Sequence, residues 1–304
     1  MNHLEKYAVI IIGGSYAGLS AAMSLGRSLQ KTLIIDNGRP CNIQTPHSHN
    51  FLTQDGKAPN EITALAKEQV LNYPTVTFYK GKALQGKRIK DGFEIGTGIG
   101  DKFQAKKLIF ATGIKDEMPN IKGFKACWGK TVIHCPYCHG YEHKAQPTGI
   151  LANGPGAVHL AGLVRNLTGS VTIFTNGKAD FTGEALQKLS KRGIPIVETE
   201  VKALEHTDGI LENVVLADRT KVSLKALYAK VPFVQHSDIP ESLGCEITEH
   251  GYIQIDQMQK TSVANIYACG DNSTGMRSVA NAVYTGNLTG AMVNMELVGE
   301  KFDR

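Results

Sequence analysis

Two stretches of this chain combine short apolar runs with a glycine-rich turn and a segment of helical spacing. The first begins with Tyr7 to Ile12, a continuous apolar run that is typical of a buried parallel strand. Residues 13–18 are glycine-rich, and the apolar positions that follow have helical spacing. A second apolar run, Thr32 to Ile35, ends at the acidic Asp36. This order predicts a βαβ dinucleotide-binding unit.

The glycine turn gives the physical reason for that prediction. Glycines allow the backbone to approach a pyrophosphate at the N-terminus of the following helix, and the acid hydrogen-bonds a ribose hydroxyl. Ser15 stands where the usual pattern has its middle glycine, so the adjacent Gly14 is expected to supply the close approach. A plain glycine turn in an α/β unit is the alternative interpretation.

The second stretch begins at Gly149, where an apolar strand and a glycine turn precede a helix predicted over 157–167 and a strand predicted over 171–174. Near the end of the chain, a short strand over 266–268 leads to a Gly-Asp pair. A long helix is then predicted from Arg277 to about Leu297. The glycine-rich segment from Gly92 to Gly100 predicts a hairpin turn in a small β insertion.

The composition limits the class of protein. A length of 304 residues is enough for about two domains, each with its own core. The net charge is only +5 and the basic residues are scattered, so a nucleic-acid partner is not expected. No apolar run reaches the ~20 residues of a bilayer span, and a signal peptide is not evident, so no membrane partner and a cytoplasmic location are expected.

The Cys-Pro-Tyr-Cys motif at 135–138 places two sulfurs close together, and such pairs often have a lowered thiolate pKa. Pro136 suits the first turn of a helix, whose positive N-terminal end would favour the thiolate. The alternative is half of a zinc site, because His134 and His139 flank the pair. The sequence has no second Cys-x-x-Cys, and four ligands within six residues would not surround a tetrahedral ion. A redox pair without a metal is therefore predicted.

These motifs together resemble the low-molecular-weight thioredoxin reductases and their flavoprotein relatives over essentially the whole chain. The resemblance implies an α/β fold of two Rossmann-like, three-layer ββα nucleotide-binding domains, the second inserted into the first. It assigns 1–115 and 240–304 to a discontinuous FAD-binding domain. It assigns 116–239 to an inserted NAD(P)H-binding-like domain that carries the redox pair. A homodimer is also implied.

The same resemblance implies which residues bind FAD. They belong to the N-terminal glycine turn, the acid after the second strand, a central Ala-Thr-Gly, and the Gly-Asp with the helix that follows it. The expected residues are Gly13, Gly14, Ser15, Ala17, Gly18, Asp36, Asn37, Asn50, Ala111, Thr112, Gly113, Gly270, Asp271, Ser278 and Val279. The dipole of that last helix would stabilise a reduced, anionic flavin ring.

The resemblance also distributes the catalytic roles. Cys138 should face the flavin, and Cys135 should exchange with the substrate by thiolate attack on a disulfide sulfur. Thioredoxin reductases usually have an aspartate after the second cysteine as proton donor or acceptor. Here His139 takes that place, and an imidazole titrates near neutral pH. A helix-capping role for His139 is the alternative. The stretch that ends at Glu142 resembles the branch with the gliotoxin- and holomycin-type dithiol oxidases.

The second nucleotide site departs from the family pattern. Ala152 stands at the first glycine position, and only Gly154 and Ala157 fit the motif. Thr-Asn-Gly at 175–177 replaces the His-Arg-Arg that usually binds the 2′-phosphate of NADPH. Each lost charge-assisted hydrogen bond costs about 1.5–3 kcal/mol. A degraded NADPH site is therefore predicted, and NADPH is not the expected electron donor.

The predicted function is that of an FAD-dependent dithiol/disulfide oxidoreductase that cycles Cys135 and Cys138 through the flavin. Its expected substrate is a thioredoxin-like protein or a small dithiol or disulfide. Two alternatives remain open: a conventional NADPH-dependent thioredoxin reductase and a non-enzymatic, flavin-linked redox sensor.

Overall fold

The computed structural model describes residues 5–303 and divides the chain into two compact units. The first unit contains residues 5–43, 59–115 and 233–303, and the second contains residues 44–58 and 116–232. Both units combine β-sheets with helices, and the predicted α/β class with two nucleotide-binding-type domains is confirmed.

The described strands are β1 (Lys6–Ile12), β2 (Thr32–Asp36), β3 (Val76–Lys80), β4 (Ala83–Ile89), β5 (Gly92–Thr97), β6 (Lys102–Phe110), β7 (Ile114–Asp116), β8 (Val132–Ile133), β9 (Thr148–Leu151), β10 (Val171–Phe174), β11 (Ile196–Val197), β12 (Val201–Thr207), β13 (Ile210–Leu216), β14 (Lys221–Ser223), β15 (Ala226–Ala229), β16 (Phe233–Gln235) and β17 (Ile266–Ala268). The described helices are α1 (Tyr16–Arg27), α2 (Pro59–Leu71), α3 (Phe124–Cys127), α4 (Pro136–His139), α5 (Gly154–Arg165), α6 (Gly183–Lys191), α7 (Ile239–Ser242) and α8 (Val279–Phe302), with a 3₁₀ helix at Tyr141–His143. None of the helices within 5–303 combines the length and apolar character that crossing a bilayer requires.

The first unit is built on a seven-stranded sheet in the order β3-β2-β1-β6-β5-β4, with β17 also paired to β6. Strands β3, β2, β1, β6 and β17 are parallel, whereas β4 and β5 are antiparallel to their neighbours. On β1, Val9 and Ile11 pack in the core with α1 and α8, while Ile10 and Ile12 pack in the core on the opposite face. Because both faces are covered, the strand is apolar at every position from Tyr7 to Ile12.

Small residues allow α1 and α8 to pack with their backbones in close contact. A Cβ atom added to Gly286 would lie 2.1 Å from the carbonyl oxygen of Ala17, and one added to Gly290 would lie 2.5 Å from that of Ala21. The Ser20 hydroxyl donates to a main-chain carbonyl of α8 at 2.7 Å. The first and last helices of the chain therefore form one packed pair.

The predicted small β insertion is present as β4, β5 and β6, but residues 92–100 form a strand between two turns and not one hairpin turn. Most of this segment is the strand β5, and the turns lie on either side of it. Phe93 and Ile95 are buried in the core, so the extended conformation removes two large apolar side chains from water. The glycines act only at the two turns, where Gly92 and Gly100 have φ values of 141° and 93°.

The second unit contains a five-stranded parallel sheet, β11-β10-β9-β15-β8, and a three-stranded sheet, β12-β13-β14. The second predicted βαβ unit is present as β9, α5 and β10. Helix α5 begins three residues before the predicted start because the Asn153 side chain caps it. Ile150 and Ile173 of the sheet pack against Ala157 and Val164 of this helix.

The division into units differs from the predicted domain boundaries in two segments. Residues 44–58 belong to the second unit, where Thr45 lies beside Gly129 and His49 lies beside Glu142. Residues 233–239 belong to the first unit, because Ile239 is buried in its core. The assignment of one unit to FAD and the other to a nicotinamide nucleotide stays a prediction.

A buried ion cluster fastens α8 to the sheet of the first unit. The Lys107 ammonium is 1% exposed and lies 2.6 Å from a carboxylate oxygen of each of Glu296 and Glu300. Burial alone would raise the pKa of Glu296, but hydrogen bonds from Lys107, Lys260 and Tyr267 outweigh it and lower the pKa to about 2. The Glu296 carboxylate is therefore ionised at neutral and mildly acidic pH.

We expect Lys107→Ala to lower the free energy of unfolding by about 1–3 kcal/mol, because two partly buried carboxylates lose a shared cation while Glu296 keeps its ion pair with Lys260. Urea denaturation followed by circular dichroism measures the loss. Lys106→Ala is the control, since that neighbouring lysine is exposed and its loss should change stability by less than about 0.5 kcal/mol. Equal midpoints for the two variants would contradict the prediction.

Candidate active site

The carboxyl ends of four parallel strands in the first unit bring together most of the predicted cofactor residues. Strand β1 leads into Gly13, β2 ends at Asp36, β6 leads into Ala111 and β17 leads, through Cys269, into Gly270. Parallel α/β sheets bind ligands in the crevice outside this edge. The central and terminal motifs, which are far apart in sequence, therefore lie at the same edge as the N-terminal glycine turn.

The glycine turn leaves no room for side chains. Gly13 has a φ of 108°, and a Cβ atom there would lie 2.1 Å from the carbonyl oxygen of Ala111. A Cβ atom on Gly18 would lie only 1.8 Å from the carbonyl oxygen of Gly13. The Gly14 amide donates to Asp36 Oδ1 at 3.0 Å, so the acid at the end of β2 is tied to the turn.

The N-terminus of α1 is open to an anion. Ser15 occupies the N-cap position, but within the described residues its side chain accepts no capping hydrogen bond, and the first turn contains no acid. The amide groups of the first turn and the helix dipole of this 12-residue helix both favour a negative group at this point. The glycine cradle and this open terminus fit the pyrophosphate of a dinucleotide.

The C-terminal motif is held by α8. The Gly270 amide donates to Thr285 Oγ1 at 3.1 Å. Asp271 Oδ2 lies 3.7 Å from Nε of Arg277, within ion-pair distance. Ser278 caps α8 by accepting from the Asn281 amide at 3.1 Å. The predicted residues 270, 271, 278 and 279 are thus fixed near the start of one 24-residue helix.

Asn272 is a site residue that the sequence reasoning missed. Its side chain is fully buried and donates from Nδ2 to the carbonyl of Phe110 at 2.8 Å and to Thr112 Oγ1 at 3.1 Å. Across the described residues, its Oδ1 has no hydrogen-bond partner. A buried acceptor of this kind suits a bound group that donates a hydrogen bond. Its position directly after the Gly-Asp pair was the available signal.

Two predicted FAD residues are placed differently from the rest. Asn37 follows Asp36 at the end of β2, where its Oδ1 accepts from the Arg39 amide at 3.2 Å. Asn50 belongs to the second unit and has a φ of 58°. Its amide donates to Asp55 Oδ1 at 2.7 Å. The structure therefore does not group Asn50 with the other predicted cofactor residues within one unit.

The two cysteines of the predicted redox pair meet at the start of α4 in the second unit. Their Sγ atoms are 2.6 Å apart, and a disulfide bond is about 2.05 Å long. Cys135 is the N-cap residue, and its Sγ accepts from the Cys138 amide at 3.2 Å. Pro136 takes the first helical position, as predicted. The sulfurs need little movement to form or break a bond.

A phenol and a glycine lie beside the pair. Tyr228 is buried, and a Cβ atom on Gly140 would lie 2.8 Å from its hydroxyl oxygen. Burial raises the pKa of Tyr228, and the nearby Cys135 and Glu142 raise it further. The phenol therefore remains protonated over the working pH range of a thiol enzyme.

His139 ends α4, directly after the second cysteine. Burial lowers its pKa to about 4; Glu142 opposes the shift, whereas His49 and His143 add to it. The imidazole is therefore neutral at pH 7. A neutral imidazole next to a thiol can accept a proton, which is the function of a general base.

His134 follows β8 and stacks on Trp128, with ring centroids 6.0 Å apart. Within residues 5–303, no group of three or more His, Cys, Asp or Glu side chains is arranged to hold a metal ion.

The second nucleotide turn is filled by its own side chains. Asn153 Oδ1 accepts from the amides of Gly154 at 2.9 Å and Asp180 at 2.8 Å, and its Nδ2 donates to the carbonyl of Lys178 at 2.9 Å. A Cβ atom on Gly154 would lie 3.9 Å from Asp180 Oδ2, so a carboxylate stands near the helix N-terminus. In this unit, the place that receives a phosphate in dinucleotide folds holds an amide and an acid.

The polar groups of the loop after β10 are likewise hydrogen-bonded to other groups of the second unit. Thr175 Oγ1 donates to the carbonyl of Gly177 at 2.6 Å. Asn176 Oδ1 accepts from the amide of Val201 at 2.8 Å. Glu198 accepts from the Ala179 amide at 2.6 Å, which adds a second carboxylate to this loop.

Comparison with known proteins identifies the family. The sequence pattern of the pyridine nucleotide-disulphide oxidoreductase family matches residues 7–286. Thioredoxin reductase tcpT of Claviceps purpurea is 31% identical over 304 residues, covering 96% of this chain and 94% of that protein. Thioredoxin reductase aclD of Aspergillus oryzae is 30% identical and covers 95% of each chain. The crystal structure of an oxidoreductase from Agrobacterium tumefaciens superimposes with a TM-score of 0.92 at 38% identity, covering 97% of this chain and 99% of that one.

These relatives confirm the predicted resemblance to thioredoxin reductase-like flavoproteins and the class of oxidoreductases that act on sulfur groups. The family pattern over residues 7–286 includes the motifs at the strand ends of the first unit and the cysteine pair of the second unit. The chain belongs to the pyridine nucleotide-disulphide oxidoreductase family.

Proposed function

We propose that this protein is an FAD-dependent dithiol oxidoreductase that oxidises a dithiol substrate with the Cys135–Cys138 disulfide. The observation that carries the proposal is the pair of sulfurs 2.6 Å apart at the start of α4, with His139 directly after the second cysteine. A neutral base supports removal of a proton from an incoming thiol, which is the first requirement of dithiol oxidation. A small dithiol or a thioredoxin-like protein is the proposed substrate.

The exchange follows from the positions of the side chains. His139 accepts the proton of the first substrate thiol, and the resulting thiolate attacks Cys135 Sγ. The bond between the two cysteine sulfurs breaks, and Cys138 leaves as a thiolate. The second substrate thiol then gives its proton to the Cys138 thiolate and attacks the substrate sulfur of the mixed disulfide, which releases Cys135 as a thiolate and the substrate as a disulfide. The two electrons of the substrate remain with the cysteine pair, one proton is on Cys138, and the other is on His139.

FAD is the proposed acceptor of those electrons, and when bound it supplies two-electron chemistry. In the first unit, the cradle formed by Gly13, Gly14 and Gly18 would hold the pyrophosphate, and Asp36 would bind a ribose. The start of α8, after Gly270, would hold the flavin side of the molecule. Cys138 is the proposed flavin-facing sulfur, and Cys135 the substrate-facing sulfur.

We propose that the second unit has lost NADPH binding. Asn153 and Asp180 fill the turn where a pyrophosphate would lie, and the side chains of residues 175–177 carry no positive charge. A dinucleotide would have to displace three hydrogen bonds of Asn153 and approach a carboxylate. Both effects oppose the binding of a polyanion.

Anaerobic reduction of the yellow protein tests this proposal. We expect dithiothreitol to bleach the flavin absorbance at least about 100-fold faster than equimolar NADPH, because lost phosphate contacts amount to about 3 kcal/mol or more. NADH is the control that separates loss of 2′-phosphate recognition from loss of the whole site. Rapid bleaching by NADPH would instead favour a conventional thioredoxin reductase. Failure of every reductant to bleach the flavin would favour a redox sensor.

A homodimer is also part of the proposal. Helix α8 presents exposed apolar side chains at positions that lie on one helical face: Tyr284, Met295, Val298 and Phe302. An apolar stripe that remains exposed on a 24-residue helix suits a partner surface. A second copy of the chain is the proposed occupant.

A further inference from the structure

A loop from the second unit brings two further histidines to the redox pair. In residues 47–57, the Ser48 amide donates to the carbonyl of Lys57 at 2.8 Å, and the Gly56 amide donates to the carbonyl of Ser48 at 2.8 Å. The Asn50 amide donates to Asp55 Oδ1 at 2.7 Å. These bonds close the loop on itself, so the His49 side chain is held in a defined place.

His49 lies between two carboxylates. Its Nδ1 is 3.7 Å from Asp55 Oδ1, and its Nε2 is 3.5 Å from Glu142 Oε1. The His49 ring meets the His139 ring edge to face, with centroids 6.5 Å apart. His49 therefore lies next to Glu142, Asp55 and His139, and the four side chains form a row that begins at His139, directly after the second cysteine, and ends at Asp55.

Asp55, at the outer end of the row, is its most exposed member. The His49 side chain is 21% exposed, Glu142 is 37% exposed and Asp55 is 68% exposed. A proton that reaches Asp55 is therefore in contact with solvent. The mechanism described above uses only His139 from this row.

We propose that His49, oriented by Asp55 and Glu142, is a positioning residue that holds His139 ready as a base and passes its proton outward to solvent. The inference rests on the proposed dithiol oxidation by the cysteine pair. The substrate thiol gives its proton to His139, which passes it through Glu142 and His49 to Asp55 and water. No electrons move along this path; both stay with the cysteine sulfurs until the flavin takes them.

Several other titratable side chains lie beside the row. The ring of His47 lies 6.4 Å from that of His49. His143 acts on His139 and is held by a hydrogen bond to the backbone of Lys130. The cysteine sulfurs and the Tyr228 hydroxyl, which lies near Cys135 and Glu142, also face the row. A protonated His49 is a positive neighbour of His139, so removing His49 takes away a positive charge. Removing Glu142 takes away a negative charge near the same ring.

The direct test is an NMR titration of the His139 ring in histidine-labelled protein, assigned by comparison with His139→Asn. The pKa of His139 should rise in His49→Gln and fall in Glu142→Gln, because the two neighbours act on it in opposite directions. His47→Gln is the matched control: it lies on the same loop, keeps a donor for the carbonyl of Gly56, and should leave the titration unchanged. Identical titrations in all variants would overturn the proposal.

Stopped-flow bleaching of the holoprotein by dithiothreitol between pH 5 and 9 provides the second readout. At pH 7 we expect His49→Gln to slow bleaching by about tenfold, since a positioning residue contributes less than the 10²–10⁴-fold of the base itself. We also expect the pH dependence to change shape, whereas His47→Gln should match the wild type. If the bleaching rate of His49→Gln were reduced by the same factor at every pH, the role of His49 would be merely structural. The proposed proton transfer from His139 to solvent would then be refuted. If the wild-type protein is not bleached at all, the proposed function fails, and the NMR titration still decides the positioning of His139.

Discussion

Cys138→Ser is expected to slow dithiol-driven bleaching of the flavin by at least about a thousand-fold, since it removes a residue that acts as a unit with its partner. Serine has nearly the same shape as cysteine, so α4 and the capping bond from residue 138 to Cys135 Sγ should survive. The variant cannot form the intramolecular disulfide, and a substrate thiolate then has no bond to break. Anaerobic stopped-flow absorbance measures the rate.

The control for this experiment is Cys41→Ser, because Cys41 is an exposed cysteine outside the pair. It should bleach at the wild-type rate. If Cys138→Ser were bleached within about tenfold of the wild type, electrons would reach the flavin without the pair. The proposed role of the cysteines would then be rejected, although family membership would stand.

Gly18→Ala is expected to weaken FAD binding by about tenfold or more. Its added methyl group would lie 1.8 Å from the carbonyl oxygen of Gly13, so the turn that approaches the pyrophosphate must open. Overpacking of this kind costs about 1–3 kcal/mol, and 1.4 kcal/mol is a factor of ten in affinity. Titration of the apoprotein with FAD, followed by quenching of flavin fluorescence, measures the dissociation constant.

Gly299→Ala is the matched control for that measurement. Gly299 also lies in a helix of the first unit, but a Cβ atom there meets no other atom within 4 Å. It should bind FAD as the wild type does and be slightly more stable, because alanine favours helix by about 1 kcal/mol over glycine. Equal FAD affinity for the two variants would show that the turn is not the pyrophosphate site.

The parts of the fold that sequence reasoning predicted correctly are those with a local physical cause. The β1 and β2 strands are covered on both faces, so their continuous apolar runs identify them. The start of α4 was predictable from Pro136, because within a helix proline is tolerated only in the first turn. In contrast, β5 was missed because its glycines resemble a turn, while the burial of Phe93 and Ile95 depends on neighbouring strands.

The parts of the site that were not predicted depend on contacts between distant residues. His49 and Glu142 are 93 positions apart, and neither belongs to a regular pattern that would pair them. The closure of the second nucleotide turn depends on Asn153 reaching the carbonyl of Lys178, 25 residues later. The sequence showed that residues 175–177 contain no arginine. It did not show which side chains fill the loop around these residues.

The packing of α1 against α8 has a consequence for how the chain is made. Residues 116–232, the bulk of the second unit, leave the ribosome before α8 has been synthesised. Domains fold as units during synthesis when their residues have emerged. We expect the cysteine-bearing unit to fold early, whereas α1 and the strands beside it wait, with apolar surface uncovered, for the last helix to arrive. Premature termination near residue 278 would therefore yield an aggregating fragment rather than a shortened enzyme.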